Sequence, residues 1–333
     1  MPSRKPWRLA GALTLALALT ATACGSGEKA ADETGPAATR VFTADNGDIT
    51  IPADPKRVVA TGYAVPALIE ADAALVGISS WQRGLPLMTA EDRATYDKLE
   101  KVAGEAAAET NYEAIAAVDP DLIVIGVPAP VLADVDVKRL ESIAPVVAIG
   151  PTLPDAWRDR SRQQADAAGR LDEFEADEQA YEDKAEGLSD KYEDALAGLK
   201  FGHVGGYGDA AAGTFHREFA GSWGTNVATD IGVTYYGEVK KKGGGSADVS
   251  EYPSIEELPA SFADADVITY SVTADGTPSE AVQYVLDSAL WKNLPAVKAG
   301  KAFPVRYTEA ATYPSALMTL DALDATLAPL LKG

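Results

Sequence analysis

The sequence predicts an α/β protein of two lobes bridged by one long helix, and three observations carry that reading. Short apolar runs alternate with helical segments up to residue 154, the same alternation resumes after residue 199, and an acidic, helix-forming stretch lies between. Brief buried strands alternating with helices imply mostly parallel sheets covered by helices. The chain divides as 1–23 for a leader, 24–39 for a tether, 40–154 for a first α/β lobe, 155–198 for a helical connection and 199–333 for a second α/β lobe.

In the leader, Arg4, Lys5 and Arg8 precede an apolar run from Leu9 to about Leu19 and small residues up to Ala23, the three zones of a secretory signal. Cys24 is the only cysteine in 333 residues, so it can make no internal disulfide. The Ala21-Thr22-Ala23 before it resembles a bacterial lipobox, with Ala21 where Leu is usual. That resemblance implies acylation at Cys24, cleavage before it, and a protein exported and held by lipid at the outer face of the cell membrane. The following "GSGEKAADETGPAATR" is too poor in large apolar groups to pack and reads as a flexible tether. Loss of the three leader cations takes the formal charge from −21 to about −24. Such a surface disfavours nucleic acid and anionic headgroups and serves solubility.

In the first lobe, Asn46-Gly47 between two alternating runs signals a hairpin. "RVVATG", "LVGISS", "PDLIVIG" and "PVVAIG" read as strands around helical "AVPALIEAD" and "VLADVDVKRLESI". The connection has no proline after Pro154; Gly169 and Gly187 are candidate breaks, and the run from about Leu171 to Leu196 is long enough to join two bodies. In the second lobe "GHVGGYG", "DVITYS" and "AFPVRY" read as strands, alternating with helical "HREFAGSWGTNVATDIG", "SIEELPAS", "SEAVQYVLDSAL" and "SALMTLDALDATLAPLL".

Enzyme motifs are missing from this pattern: the sequence contains no G-x-S-x-G, P-loop or H-E-x-x-H. His203 and His216 are the only histidines, too few for a protein metal site of the usual kind, and neither is assigned a catalytic role. A binding protein fits better than an enzyme.

"NGDITIPADPKRVVATG", "NYEAIAAVDPDLIVIG", "SIEELPA" and "ALWKNLPAVKAGKAFPV" resemble, in order, segments of the periplasmic-binding family that serves siderophore, haem and cobalamin importers of the ABC type. The resemblance implies two Rossmann-like lobes joined by one long helix, with a ligand cleft between them. Within the family the sequence is most similar to actinobacterial lipoproteins that bind ferric hydroxamate siderophores of the ferrioxamine type. Iron then arrives already chelated, so the protein needs no cofactor and no iron ligands of its own. It needs aromatic faces and a few Arg or Tyr donors on loops after strand ends. Trp81, Arg83 and Tyr63 in the first lobe, and Tyr207, Phe215, Arg217, Trp223, Arg306 and Tyr313 in the second, are the candidates. Phe219 reads as core, and Tyr307 is less favoured than its neighbours. A haem or cobalamin receptor remains an alternative, and a surface enzyme or sensor on the same body a further one.

The resemblance also implies that the protein works as a monomer with two ABC permease subunits, meeting one acidic residue on each lobe. By motif these are Glu113 of "NYEAI" and Glu256 of "SIEEL", with Glu257 adjacent to the second. Asn111 and Ser254 are N-cap residues, so each glutamate also favours its own helix start. For the anchor, metabolic labelling with a fatty acid is expected to label the wild type, and Cys24→Ala is expected to release the protein or leave an uncleaved precursor. An unlabelled wild type contradicts the lipobox reading.

Overall fold

The computed structural model describes residues 38–332. The leader, Cys24 and most of the tether lie outside the described residues. The chain opens with a hairpin, β1 (Thr39–Ala44) and β2 (Gly47–Pro52). Its loop is Asp45–Asn46, one residue earlier than the sequence suggests. The Asn46 amide is drawn to a sheet edge, donating to the Val146 carbonyl (3.0 Å) and accepting from the Ala148 N–H (2.9 Å), while Gly47 takes the positive φ of 113°.

The first lobe runs β3 (Val58–Gly62), α1 (Ala64–Glu70), β4 (Leu75–Ser79), α2 (Ala90–Lys98), β5 (Lys101–Ala103), α3 (Tyr112–Ala117), β6 (Leu122–Gly126), α4 (Ala129–Leu132), α5 (Val137–Glu141) and β7 (Val146–Ala148). Its strands are parallel in the order β5-β4-β3-β6-β7. Every residue of β6 is buried, as a strand covered on both faces requires. The strand order reverses beside β3, so the loops after β3 and β4 open onto a crevice at the carboxyl edge. The stretch 131–143, predicted as one helix, is split because Asp136 caps α5, accepting from the Arg139 N–H at 3.1 Å.

Next come α6 (Trp157–Ala167) and α7 (Leu171–Leu196), the latter over the span predicted for the long helix. Gly169, at φ 69°, separates them, whereas Gly187 lies inside α7 without interrupting it. Phe174, Tyr181, Ala185, Leu188, Tyr192 and Leu196 recur every three to four or seven residues and form its buried stripe.

The second lobe runs β8 (Phe201–Val204), β9 (Arg217–Glu218), α8 (Asn226–Asp230), β10 (Ser250–Glu251), α9 (Leu258–Ser261), β11 (Val267–Ser271), α10 (Glu280–Asp287), α11 (Ala289–Lys292), α12 (Pro295–Lys298), β12 (Ala302–Val305) and α13 (Tyr313–Leu327). The order is β10-β9-β8-β11-β12, with β8, β11 and β12 parallel and β9 antiparallel to both of its neighbours. The segment 216–232, predicted as helical, is instead a strand and a short helix. Its first residues alternate with period two: His216 and Glu218 share one face, Phe215, Arg217 and Phe219 the other. Gly221, at φ 83°, then turns the chain before α8. No helix among the described residues is long and apolar enough to cross a membrane. The fold is thus two α/β lobes joined by a 26-residue helix.

Candidate functional site

Between the carboxyl edges of the two sheets lies a cavity of about 140 Å³ walled by both lobes. A recess of about 220 Å³ adjoins it, sharing Arg83, Leu87 and Glu309. Only together do they come within the roughly 300–1,000 Å³ usual for an organic-ligand pocket.

The first lobe contributes Tyr63, Trp81 and Arg83. Tyr63 leaves β3 through Gly62, at φ 61°, where a Cβ would come 2.7 Å from the Gly126 carbonyl oxygen. Glycine there lets the chain turn and lets the Tyr63 N–H donate to that same oxygen at 2.8 Å. Trp81 leaves β4, and its N–H donates to the Tyr96 hydroxyl at 2.9 Å. Its ring is 4% exposed and forms a backing, edge-on to Tyr63 at 4.9 Å. The Arg83 guanidinium lies 4.2 Å from the Trp81 centroid and 5.0 Å from that of Tyr63. Its Nε is 3.5 Å from Glu105 Oε1. Aromatic faces and one carboxylate therefore hold the cation at the cleft wall.

From the second lobe Trp223 meets Tyr63 across the gap, with ring centroids 5.7 Å apart and planes 2° from parallel. Tyr207 and Tyr252 also line the cavity and are 51% and 54% exposed, the kind of uncovered aromatic surface that marks a binding site. Tyr252 stacks on His216 at 4.7 Å and 6°. His216 is buried, yet neither ring nitrogen has a hydrogen-bond partner, and burial pushes its pKa down toward the neutral imidazole. Behind it, Glu218 accepts from Ser222 Oγ at 2.6 Å and the Gly224 N–H at 3.2 Å, and lies 3.3 Å from His203 Nε2. Burial opposes ionisation of Glu218, but the two imidazoles and the Ser222 hydroxyl hold its carboxyl below the usual range.

Two more carboxyls line the cavity. Glu70, at the end of α1, accepts from Thr312 Oγ1 at 2.9 Å, a hydrogen bond from one lobe to the other. Burial, with Asp92 and Asp177 nearby, raises its pKa well above the carboxylate range despite that bond. Glu309 follows β12 and faces Tyr207; burial raises its pKa too. Among the described residues no group of His, Cys, Asp and Glu is arranged to hold a metal ion.

Five of the nine predicted ligand contacts, Tyr63, Trp81, Arg83, Tyr207 and Trp223, are brought together here, and four are not. Phe215 is fully buried against Phe262, at 6.0 Å. Arg217 packs over Phe219 at 4.5 Å and pairs with Glu251. Both lie on the face of β9 opposite His216. Arg306 points into a separate surface groove beside Gly276 and Met318, because Tyr307, at φ 59°, turns the chain so that Glu309 rather than Arg306 reaches the cleft. Tyr313 is buried against Trp157 at 5.1 Å and Phe174 at 5.3 Å, and its hydroxyl donates to Glu178 at 2.9 Å, so it clamps α13 to the α6–α7 bridge.

Of the two docking candidates, Glu113 is exposed and 3.2 Å from Arg139. Glu256 is exposed with no ion pair among the described residues, whereas Glu257 pairs with Lys240. His216, Tyr252, Glu70 and Glu309 were missed by the sequence reasoning. Period-two alternation in "FHREF" was the available signal for His216; the others depend on long-range packing.

The comparisons agree with this architecture. A family model described as periplasmic binding protein matches residues 60–306. An iron(3+)-hydroxamate-binding protein of Bacillus subtilis is 25% identical over 291 residues, covering 85% of this chain and 82% of that protein. A second protein of that description from the same organism is 28% identical over 309 residues, covering 88% and 89%. The solved siderophore periplasmic binding protein from the fuscachelin gene cluster of Thermobifida fusca is 32% identical, with a TM-score of 0.67 over 85% of this chain and 98% of its own.

A group that is neutral in the fold and ionised in the unfolded chain makes stability fall as pH rises between its two pKa values. For Glu70 that window opens near the ordinary value of about 4.3 and extends up to its raised value. Glu70→Gln keeps an acceptor for Thr312 and removes the ionisation. The variant is expected to gain on the order of 1 kcal/mol over wild type at pH 8, and little at pH 4. Thermal melts at both values check it, and a variant less stable than wild type at pH 8 contradicts it.

Proposed function

The chain belongs to the periplasmic binding protein family, and we propose that it is an exported receptor that captures a ferric siderophore, a trihydroxamate complex of the ferrioxamine type, and delivers it to an ABC permease for iron uptake. The observation that carries this reading is the aromatic cleft itself. Tyr63 and Trp223 face one another from different lobes, and the exposed Tyr207 and Tyr252 complete a wall suited to the organic shell of a chelate. Arg83 supplies a charged donor for hydroxamate oxygens. The relatives are binding proteins, which supports capture rather than catalysis. The lipid anchor at Cys24 belongs to the same proposal: a tethered receptor stays near its permease.

Fluorescence titration against ferric trihydroxamate, ferric catecholate, haem and cobalamin tests the ligand class. One-to-one binding of the trihydroxamate is expected, and Arg83→Ala is expected to weaken it about ten- to a hundredfold through loss of a charged hydrogen bond. Binding of haem or cobalamin with no response to any ferric siderophore contradicts the reading.

Delivery calls for a second surface, and we assign it to Glu113 and Glu256, with Arg139 shielding the first and Glu257 already engaged by Lys240. The double variant Glu113→Ala/Glu256→Ala is expected to keep ligand affinity and melting temperature while ligand-stimulated ATP hydrolysis by the reconstituted transporter falls at low salt, with the gap to wild type narrowing at high salt as the wild-type ion pairs are screened. Normal transport by the double variant would leave the two glutamates only their helix-start role.

A further inference from the structure

The charge inventory of the cleft is unusual for a receptor of an anion. Among the described residues lining the cavity and its adjoining recess, Arg83 is the single permanent cation, and it already lies 3.5 Å from Glu105. Its charge is also felt by Glu309 on the opposite lobe. One guanidinium therefore answers two carboxyls, while Glu70, a third acid on the cavity wall, is pushed toward its neutral form by burial. His216 adds two unpartnered ring nitrogens, and burial disfavours a charge on its ring. A strongly anionic chelate would meet this wall with a deficit of cations. A neutral chelate with a basic arm would meet it with one acid to spare.

Glu309 is the acid placed to use that arm. It has no ion pair within 4 Å among the described residues. It stands where the aromatic cavity opens into the recess walled by Thr273, Ser279 and Thr308. The charged and titratable groups around it are Arg83 across the gap, Tyr207 beside it and Glu218 behind. Burial disfavours its carboxylate, a penalty that a cation brought alongside would relieve. Resting on the siderophore reading above, we infer that the cleft selects ferric chelates carrying a free cationic amine, with the chelate core between Tyr63 and Trp223 and the ammonium arm in the recess against Glu309.

Two probes that differ only at that amine test it: ferrioxamine B, a linear trihydroxamate ending in a primary ammonium, and its N-acetyl derivative, in which the ammonium is replaced by a neutral amide. Titrated into wild-type protein, the ammonium form is expected to bind about tenfold tighter, the usual scale for one charge-assisted hydrogen bond. In Glu309→Gln the ratio of the two affinities is expected to collapse toward unity, and in Glu309→Asp to be retained in large part. The ratio is read on folded protein only, so a loss of stability in either variant does not mimic the effect. Equal binding of both probes by wild type overturns this inference and leaves the hydroxamate reading standing. A preference that survives Glu309→Gln overturns the assignment to Glu309. Failure of both probes to bind overturns the hydroxamate reading and this inference with it.

Discussion

One covalent crossover, α7, joins the two sheets, so the gap between their carboxyl edges depends on how the second lobe grips that helix. The grip is aromatic. Tyr313 opens α13 and sits among Trp157, Phe174 and Tyr181, while its hydroxyl reaches Glu178 on α7. Trp157 donates to Asn226 at 3.0 Å, and Arg158 bonds to Asn226 and Asp230, tying α6 to α8. These contacts, with the Thr312–Glu70 hydrogen bond and the Tyr63–Trp223 stack across the gap, set the distance between the strand ends of the two lobes. With them, the residues that follow β3, β4, β8 and β12 converge on one cleft.

Convergence at strand ends explains the chemistry found there. Backbone at the carboxyl edge of a parallel sheet turns outward, so bulky side chains can stand in the gap without displacing core. Gly62 and Tyr307 show two ways of making that turn, one with glycine at positive φ and the other with a tyrosine at φ 59° that sends Arg306 out and Glu309 in. The polar groups left in the cleft are mostly uncharged or pushed toward neutrality: His216 downward, Glu70 and Glu309 upward, each chiefly by burial. Such a wall suits an amphipathic guest that brings its metal already wrapped.

Much of this could be read from the sequence. The long helix was legible because twenty-six residues without proline, carrying one apolar stripe, allow little else. Tyr63, Trp81 and Arg83 were legible because they lie in the segments that leave two strands marked by short β-branched runs, Tyr63 immediately after β3 and the other two within four residues of the end of β4. The errors have local physical causes. "HREFAGSWG" holds good helix formers, yet two-residue alternation and buried pairing of His203 with Glu218 make it a strand, which reverses the facing of Phe215, Arg217 and His216. Tyr313 starts a helix beside a cleft loop, and nothing local distinguishes an aromatic clamp from an aromatic contact. Glu70 and Thr312 are 242 positions apart, a proximity that only the folded lobes create.

The central claim is that the guest sits between the lobes against the stacked aromatic pair. A crystal of the mature protein grown with a ferric trihydroxamate, measured at the iron absorption edge, locates the metal from anomalous scattering without reference to any assumed pose. The account places the iron peak in the gap bounded by Tyr63, Trp223, Tyr207 and Tyr252, with the two ring planes of Tyr63 and Trp223 parted to admit the chelate. A peak in the outer groove beside Arg306 and Met318, or one in the gap with Tyr63 and Trp223 still stacked against each other, would contradict it.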